Sequence, residues 1–273
     1  MGTKEILSKN NFIFKKKFGQ NFLLDQNILN NITNLANIDK QTLVIEIGVG
    51  AGALTTKLAP LAKNVLGYEI DQTLKESLSE ILKENNNIDI IFDDFLSRNI
   101  KDDLKKYQYD NLVVVANLPY YITTPIITKF IDEKINVSKM VVMVQKEVAD
   151  RFSAKPNTKD YNSLTIFLNY YFNIKKAFIV SKNVFYPKPK VDSAVVVFEK
   201  NKDMIKLKNE PLFFKLVKDS FKQKRKNLKN NLSGYDIETI DSILKKFNKS
   251  IGSRAEAITI EEFAEISNEL AKR

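Results

Sequence analysis

The stretch Leu43-Val44-Ile45-Glu46-Ile47-Gly48-Val49-Gly50-Ala51-Gly52 decides the architecture. Its first five residues, apolar except for Glu46, have the length and β-branched character of a buried strand. The run ends in glycine at every second position, which lets the backbone turn sharply and approach a ligand closely. The fingerprint of dinucleotide enzymes is G-x-G-x-x-G, so the G-x-G-x-G spacing at 48–52 turns the reading away from a nicotinamide cofactor. Downstream, β-branched runs at 65–68, 88–92 and 112–116 alternate with stretches of helical character such as 71–83. Upstream, Ile28, Leu29, Ile32, Leu35 and Ala36 recur at helical spacing behind a cap candidate, Asp25. A fifth strand at 139–145 and two later ones near 174–180 and 193–198 complete a doubly wound, seven-stranded α/β sheet, Rossmann-like in its βαβα rhythm. Such sheets bind ligands at the carboxyl ends of their strands.

Composition narrows the chemistry. The 273 residues include 43 Lys+Arg against 33 Asp+Glu, a net charge of +10, with no His, Cys or Trp. That excludes a disulfide framework, a catalytic thiol, the usual zinc ligands and every His-based triad, so no metal is expected. No apolar run approaches the ~20 residues of a membrane span, and no secretory h-region opens the chain, so a cytoplasmic protein without membrane partners is expected. The charge excess divides as +4 over residues 1–17, zero over 18–199 and +6 over 200–273. A neutral body between two basic ends suits a protein whose ends grip a polyanion, nucleic acid above all. The densest run is Lys222-Gln223-Lys224-Arg225-Lys226-Asn227-Leu228-Lys229. Past residue 200 the pattern is helical only: 212–228, 237–247, and a last helix opened by the capping box Thr259-x-x-Glu262, with Ile260, Phe263, Ile266 and Leu270 on one face. The expected organisation is a basic arm (1–17), a ligand-binding domain (18–199) and a small all-α domain (200–273).

Acids follow the second and third strands. Glu69 ends the second, where a carboxylate accepts from ribose hydroxyls, and Asp93-Asp94 end the third, where an acid accepts from an adenine amino group. An adenosine-containing ligand without a diphosphate fits both. The fourth strand ends in Ala116-Asn117-Leu118-Pro119-Tyr120-Tyr121. A carboxamide, a Pro-stiffened turn and an aromatic ring supply an acceptor, a backbone carbonyl and a stacking face for a flat amine. Tyr121 is expected to pack.

These strings resemble those of the adenine-N6 methyltransferases that use S-adenosylmethionine, and within them the ribosomal RNA adenine dimethyltransferases. Further strings agree: Phe18-Gly19-Gln20-Asn21-Phe22-Leu23, Gln145-Lys146-Glu147-Val148-Ala149-Asp150-Arg151, and Phe185-Tyr186-Pro187-Lys188-Pro189-Lys190-Val191-Asp192-Ser193-Ala194. The resemblance covers about residues 15–199, and Val49 stands where the family often has Pro. It implies a class I methyltransferase fold whose donor is held by Asn21, Leu23, the loop with Gly48 and Gly50, Glu69, Asp94 and Asn117. It implies further that the target adenine stacks on Tyr120 and Phe185, its amine held by Asn117 and the Leu118 carbonyl beside Pro119. The implied substrate is small-subunit (16S) ribosomal RNA in an immature subunit, dimethylated at two adjacent adenosines near its 3′ end during ribosome biogenesis; with no heptad seam or other interface signal in the sequence, a monomer is expected. The resemblance leaves two alternatives: a large-subunit (23S) dimethyltransferase conferring antibiotic resistance, and an assembly factor that binds RNA with catalysis secondary.

Overall fold

The structure is a computed structural model in which residues 20–23 and 25–272 are described. The arm 1–17, and Phe18 and Gly19 of the first family string, lie outside the described residues. After a two-residue strand β1 (Phe22–Leu23), helix α1 (Gln26–Ala36) starts where the Asp25 carboxylate accepts from the N–H groups of Asn27 and Ile28. It stops at Asn37, whose left-handed backbone (φ 50°) breaks the helical path. Its buried stripe of Leu29, Ile32, Thr33 and Ala36 has the spacing expected of one helix face.

The main sheet holds β2 (Thr42–Ile47), β3 (Asn64–Tyr68), β4 (Ile88–Ile91), β5 (Asn111–Asn117), β6 (Lys139–Gln145), β7 (Phe172–Val180) and β9 (Ser193–Lys200) in the order 4-3-2-5-6-9-7. The first five are mutually parallel, and β9 runs antiparallel to β6. Every residue of β2 is buried, which is why it reads as one apolar run and not as an alternation. One face of the sheet contributes Val44, Val65, Val113, Val115, Val141, Met143, Val195 and Val197 to a core shared with the buried stripe of α1. Strand order reverses at β2, between β3 on one side and β5 on the other, and this switch point opens the crevice at the strands' carboxyl ends.

Two packing details shape that crevice. A Cβ on Gly67 would come within 2.6 Å of Val49 Cγ2, so the glycine in β3 is what lets the Val49 side chain sit over the sheet. A second, two-stranded sheet pairs β1 with β8 (Phe185–Tyr186), in the register Phe22 to Tyr186 and Leu23 to Phe185.

The described residues fall into two compact units: one runs to Ala149 and resumes at Lys175–Lys200, the other holds Asp150–Ile174 and the chain from Asn201. This corrects the expected extent of the first domain, because residues 150–174 lie with the helical unit. The cause is apolar burial within that unit. Tyr161, Ile166 and Tyr170 share a core with Phe213, Leu216, Ile240 and Phe263, and the Tyr161 hydroxyl donates to the Ile258 carbonyl at 3.0 Å. The unit contains α2 (Ser163–Tyr171), α3 (Glu210–Ser220), α4 (Leu228–Asn231), α5 (Ile237–Lys246) and α6 (Ile260–Leu270). The expected helix over 212–228 ends early, at Ser220. Residues 222–226 form turns, with the Asn231 side chain donating to the Ser220 and Gln223 carbonyls and Asn227 capping α4. The capping box at Thr259 and Glu262 is present, with both reciprocal bonds.

Candidate active site

At the switch point, a cavity partly open to solvent is lined by residues at the ends of β2, β3 and β5 and by the segment 20–23. Its floor is the loop after β2, where Gly48, Gly50 and Gly52 all have positive φ (79°, 59° and 73°). Gly50 has no room for a side chain, since a Cβ there would lie 2.9 Å from the Phe22 ring. Each carboxylate oxygen of Glu69 takes one backbone N–H, Gly50 on one side and Asp71 on the other, both at 2.8 Å. Burial raises the pKa of Glu69, and these two N–H groups oppose the rise. Each oxygen keeps a further lone pair for a ligand hydroxyl.

Glu46 also lines this cavity and was not singled out as a site residue by sequence reasoning. Its side chain is buried and Oε2 has no hydrogen-bond partner. Burial pushes its pKa up to about 8, with the nearby Thr55 hydroxyl lowering it and the Glu69 charge adding to the rise. An orphaned carboxyl oxygen on a cavity wall is an acceptor in want of a donor or cation. The signal for it was in the sequence: Glu46 alone interrupts the apolar run of β2.

Asn117, the last residue of β5, is fixed in orientation. Its Nδ2 donates to the Asn21 carbonyl at 3.0 Å, and since a carbonyl only accepts, Oδ1 is left as an acceptor for another group. The chain then turns through Leu118, Pro119 and Tyr120, which line the same cavity. Leu118 N–H donates to the Met143 carbonyl at 3.1 Å. The Tyr120 hydroxyl lies 2.8 Å from Ser193 Oγ.

Asn21, Leu23, Gly48, Gly50, Glu69, Asn117, Leu118, Pro119 and Tyr120 therefore share one cavity, while Asp94 and Phe185 do not line it. The Asp94 carboxylate accepts from Leu96 N–H at 2.9 Å, starting a short 3₁₀ turn, and its charge raises the pKa of the Tyr121 phenol after burial has done so. Phe185 is 4% exposed in the core, opposite Leu23. Tyr121 corrects its expected packing role: at 57% exposure its ring is in solvent. Asp93 is tied to Arg98 at 3.4 Å, and Arg98 also binds Asp103, which accepts from the buried Tyr68 hydroxyl at 3.0 Å. That network braces the loops after β3 and β4. The glycine cradle, the paired acceptors of Glu69 and the orphaned Glu46 oxygen suit a ligand with ribose hydroxyls and a cationic group. Among the described residues no cluster could hold a metal ion, and no helix is long and apolar enough to cross a membrane.

Residues 11–272 match the family described as ribosomal RNA adenine dimethylase. The chain is 44% identical to the ribosomal RNA small subunit methyltransferase A of Bacillus mycoides over 98% of its length and 95% of the relative's. The same holds for the protein of that name from Bacillus cereus. Its fold is similar to that of a dimethyladenosine transferase from Plasmodium falciparum, with 27% identity, a TM-score of 0.78, and coverage of 92% of this chain and 98% of the other. A 23S rRNA methyltransferase, ErmE, is similar at 25% identity and a TM-score of 0.73, with coverage of 92% and 99%.

Proposed function

The chain belongs to the ribosomal RNA adenine dimethylase family, and we propose that it transfers methyl groups from S-adenosylmethionine to N6 of two adjacent adenosines near the 3′ end of small-subunit ribosomal RNA. Relatives named for the small subunit are 44% identical over nearly the whole chain, against 25% for the large-subunit enzyme, which supports the small-subunit reading. The substrate is an immature small subunit, and the enzyme acts as a monomer in the cytoplasm beside the ribosomes it modifies.

In this reading the donor supplies an electrophilic methyl group and is held by Asn21, Leu23, Gly48, Gly50, Glu69, Asp94 and Asn117. Glu69 accepts from its ribose and Glu46 answers its positive charge, while the adenine amine is assigned to Asp94, which lies outside the cavity lining, on the family resemblance alone. The observation that carries the reading is the fixed Asn117 carboxamide. With Nδ2 engaged by Asn21, Oδ1 points an acceptor at the incoming amine, and the Leu118 carbonyl offers a second. An exocyclic amine is a poor nucleophile because its lone pair is delocalised into the ring. Two acceptors draw its N–H bonds out of the ring plane and aim the lone pair at the methyl carbon. The N–C bond forms as the C–S bond breaks, sulfur keeps the electron pair, and the nitrogen, now acidic, loses a proton to water. No strong base is needed, in keeping with a chain without His. Rate comes from orientation and preorganised acceptors. Tyr120 supplies a stacking face for the base. Phe185, the second stacking face that the resemblance implies, is buried in the core opposite Leu23.

The test is methyl transfer to unmethylated small-subunit particles and to protein-free large-subunit RNA, by wild type and Asn117→Ala. Dimethyladenosine in the small-subunit RNA alone is expected, with turnover in the variant reduced by about 100-fold or more and donor affinity changed far less. Wild-type-like turnover of Asn117→Ala would remove the basis of the mechanism.

A further inference from the structure

A second hydroxyl meets the cavity wall from behind. Tyr120 lines the cavity, and its hydroxyl lies 2.8 Å from that of Ser193, a side chain with no exposed surface at the first position of β9, 73 residues further along the chain. The two ends of this bond are anchored independently. On the tyrosine side, Leu118 N–H is bonded to the Met143 carbonyl, and the Pro119 carbonyl accepts from Ile122 N–H at 3.3 Å and from the Thr123 hydroxyl at 3.1 Å. On the serine side, Ser193 faces Gln145 in the β6–β9 ladder, and Lys146 N–H donates to the Asp192 carbonyl at 3.0 Å. The Asp192 carboxylate in turn accepts from Lys182 N–H, also at 3.0 Å. A tyrosine held both at its backbone and at its hydroxyl keeps its ring in one position, because turning the first side-chain torsion swings the hydroxyl off its partner. Ser193 is equally dependent on the bond, since a buried hydroxyl without a partner is costly.

We propose that Ser193 is a positioning residue for the second methyl transfer: by fixing the position of the Tyr120 ring against the cavity it keeps the target amine aligned after the first methyl group has been added. The inference rests on the adenine-dimethylation reading above. In the first transfer the amine has two N–H groups, one for Asn117 Oδ1 and one for the Leu118 carbonyl. The first methyl replaces one of them, so a single hydrogen bond remains to orient the nitrogen. Stacking on Tyr120 then carries a larger share of the alignment, and a ring free to swing penalises the second transfer more than the first. The chemistry is the same in both steps: N–C bond formation, departure of neutral sulfur with its electron pair, and loss of one proton to water.

Ser193→Ala, Tyr120→Phe and the double variant are compared with wild type on unmethylated small-subunit particles, quantifying N6-monomethyladenosine and N6,N6-dimethyladenosine separately. Donor affinity by calorimetry reports folding. Ser193→Ala is expected to raise the monomethyl-to-dimethyl ratio by about 3- to 10-fold, the worth of one hydrogen bond at a barrier, with donor Kd unchanged. In the Tyr120→Phe background it should add nothing, a result that general loosening of the fold would not produce. An unchanged ratio, or effects that simply add, overturns the positioning role. If Ser193→Ala does not bind donor, Tyr120→Phe alone decides, by the presence or absence of the same shift. A wild-type enzyme that yields no methylated adenine overturns the dimethylation reading instead.

Discussion

Glu46 ties the cavity to pH through one buried carboxyl. Its pKa is about 8 in the folded chain against an ordinary 4.5, burial being the main cause. Between those values the folded form keeps a proton that the unfolded chain releases, so the group lowers stability as pH rises through that window and no further above it. Glu46→Gln, which is neutral throughout, is expected to remove this slope and to be more stable than wild type at pH 8–9, as read from urea midpoints at several pH values. A cationic donor favours the charged form, so wild-type donor affinity should rise from pH 6 to 8 while that of Glu46→Gln stays flat. Identical pH profiles for the two proteins would show that Glu46 does not titrate there. Gly50 makes the steric counterpart. With φ at 59° and the Phe22 ring 2.9 Å from where a Cβ would stand, Gly50→Ala is expected to weaken donor binding by more than about tenfold in calorimetry.

At the scale of elements, legibility followed length and burial. Strands β2, β5 and β6 could be read because buried parallel strands are near-continuous apolar, β-branched runs, and α1 because its apolar stripe keeps a helical period behind a cap. The pair β1 and β8 could not, since two residues carry no period and their partners lie far apart in the chain. The run 222–226 was legible as charge but not as shape. Its exposed cations suit a helix surface as well as a turn, and the deciding contacts come from Asn231, whose Nδ2 lies 2.6 Å from the Ser220 carbonyl and 3.3 Å from that of Gln223. Asn231→Ala leaves the charge intact and frees this loop. It is expected to lower RNA affinity by about threefold at fixed salt, the order of one modest hydrogen bond. An unaltered Kd in a filter-binding titration would mean that the loop's shape is immaterial and only its charge acts.

Across the whole molecule, the cavity and the charge belong to different stretches of chain. Seven of the eleven proposed site residues, Gly48, Gly50, Glu69, Asn117, Leu118, Pro119 and Tyr120, could be gathered onto one cavity from sequence order, because motifs at the ends of parallel strands must meet at one end of the sheet, whereas Asn21 and Leu23 came from the family resemblance. The membership of residues 150–174 could not be foreseen, because a chain that leaves a unit and returns shows no change of composition at Asp150; it is the burial of Tyr161, Ile166 and Tyr170 among the later helices that reveals it. The net charge of +10 has no counterpart in the cavity, whose ionisable groups are the acids Glu46 and Glu69. Affinity for RNA must then come from elsewhere, and Lys222, Lys224, Arg225 and Lys226 stand exposed on one loop. Each phosphate neutralised releases counterions, so replacing these four by Gln is expected to flatten the slope of log affinity against log salt by up to about 3, at ~0.7 per contact. Donor affinity and the product formed at saturating RNA should not change. A full salt slope in that variant would move the phosphate contacts off this loop, whereas a lost slope with altered product would mean that the loop also places the target base.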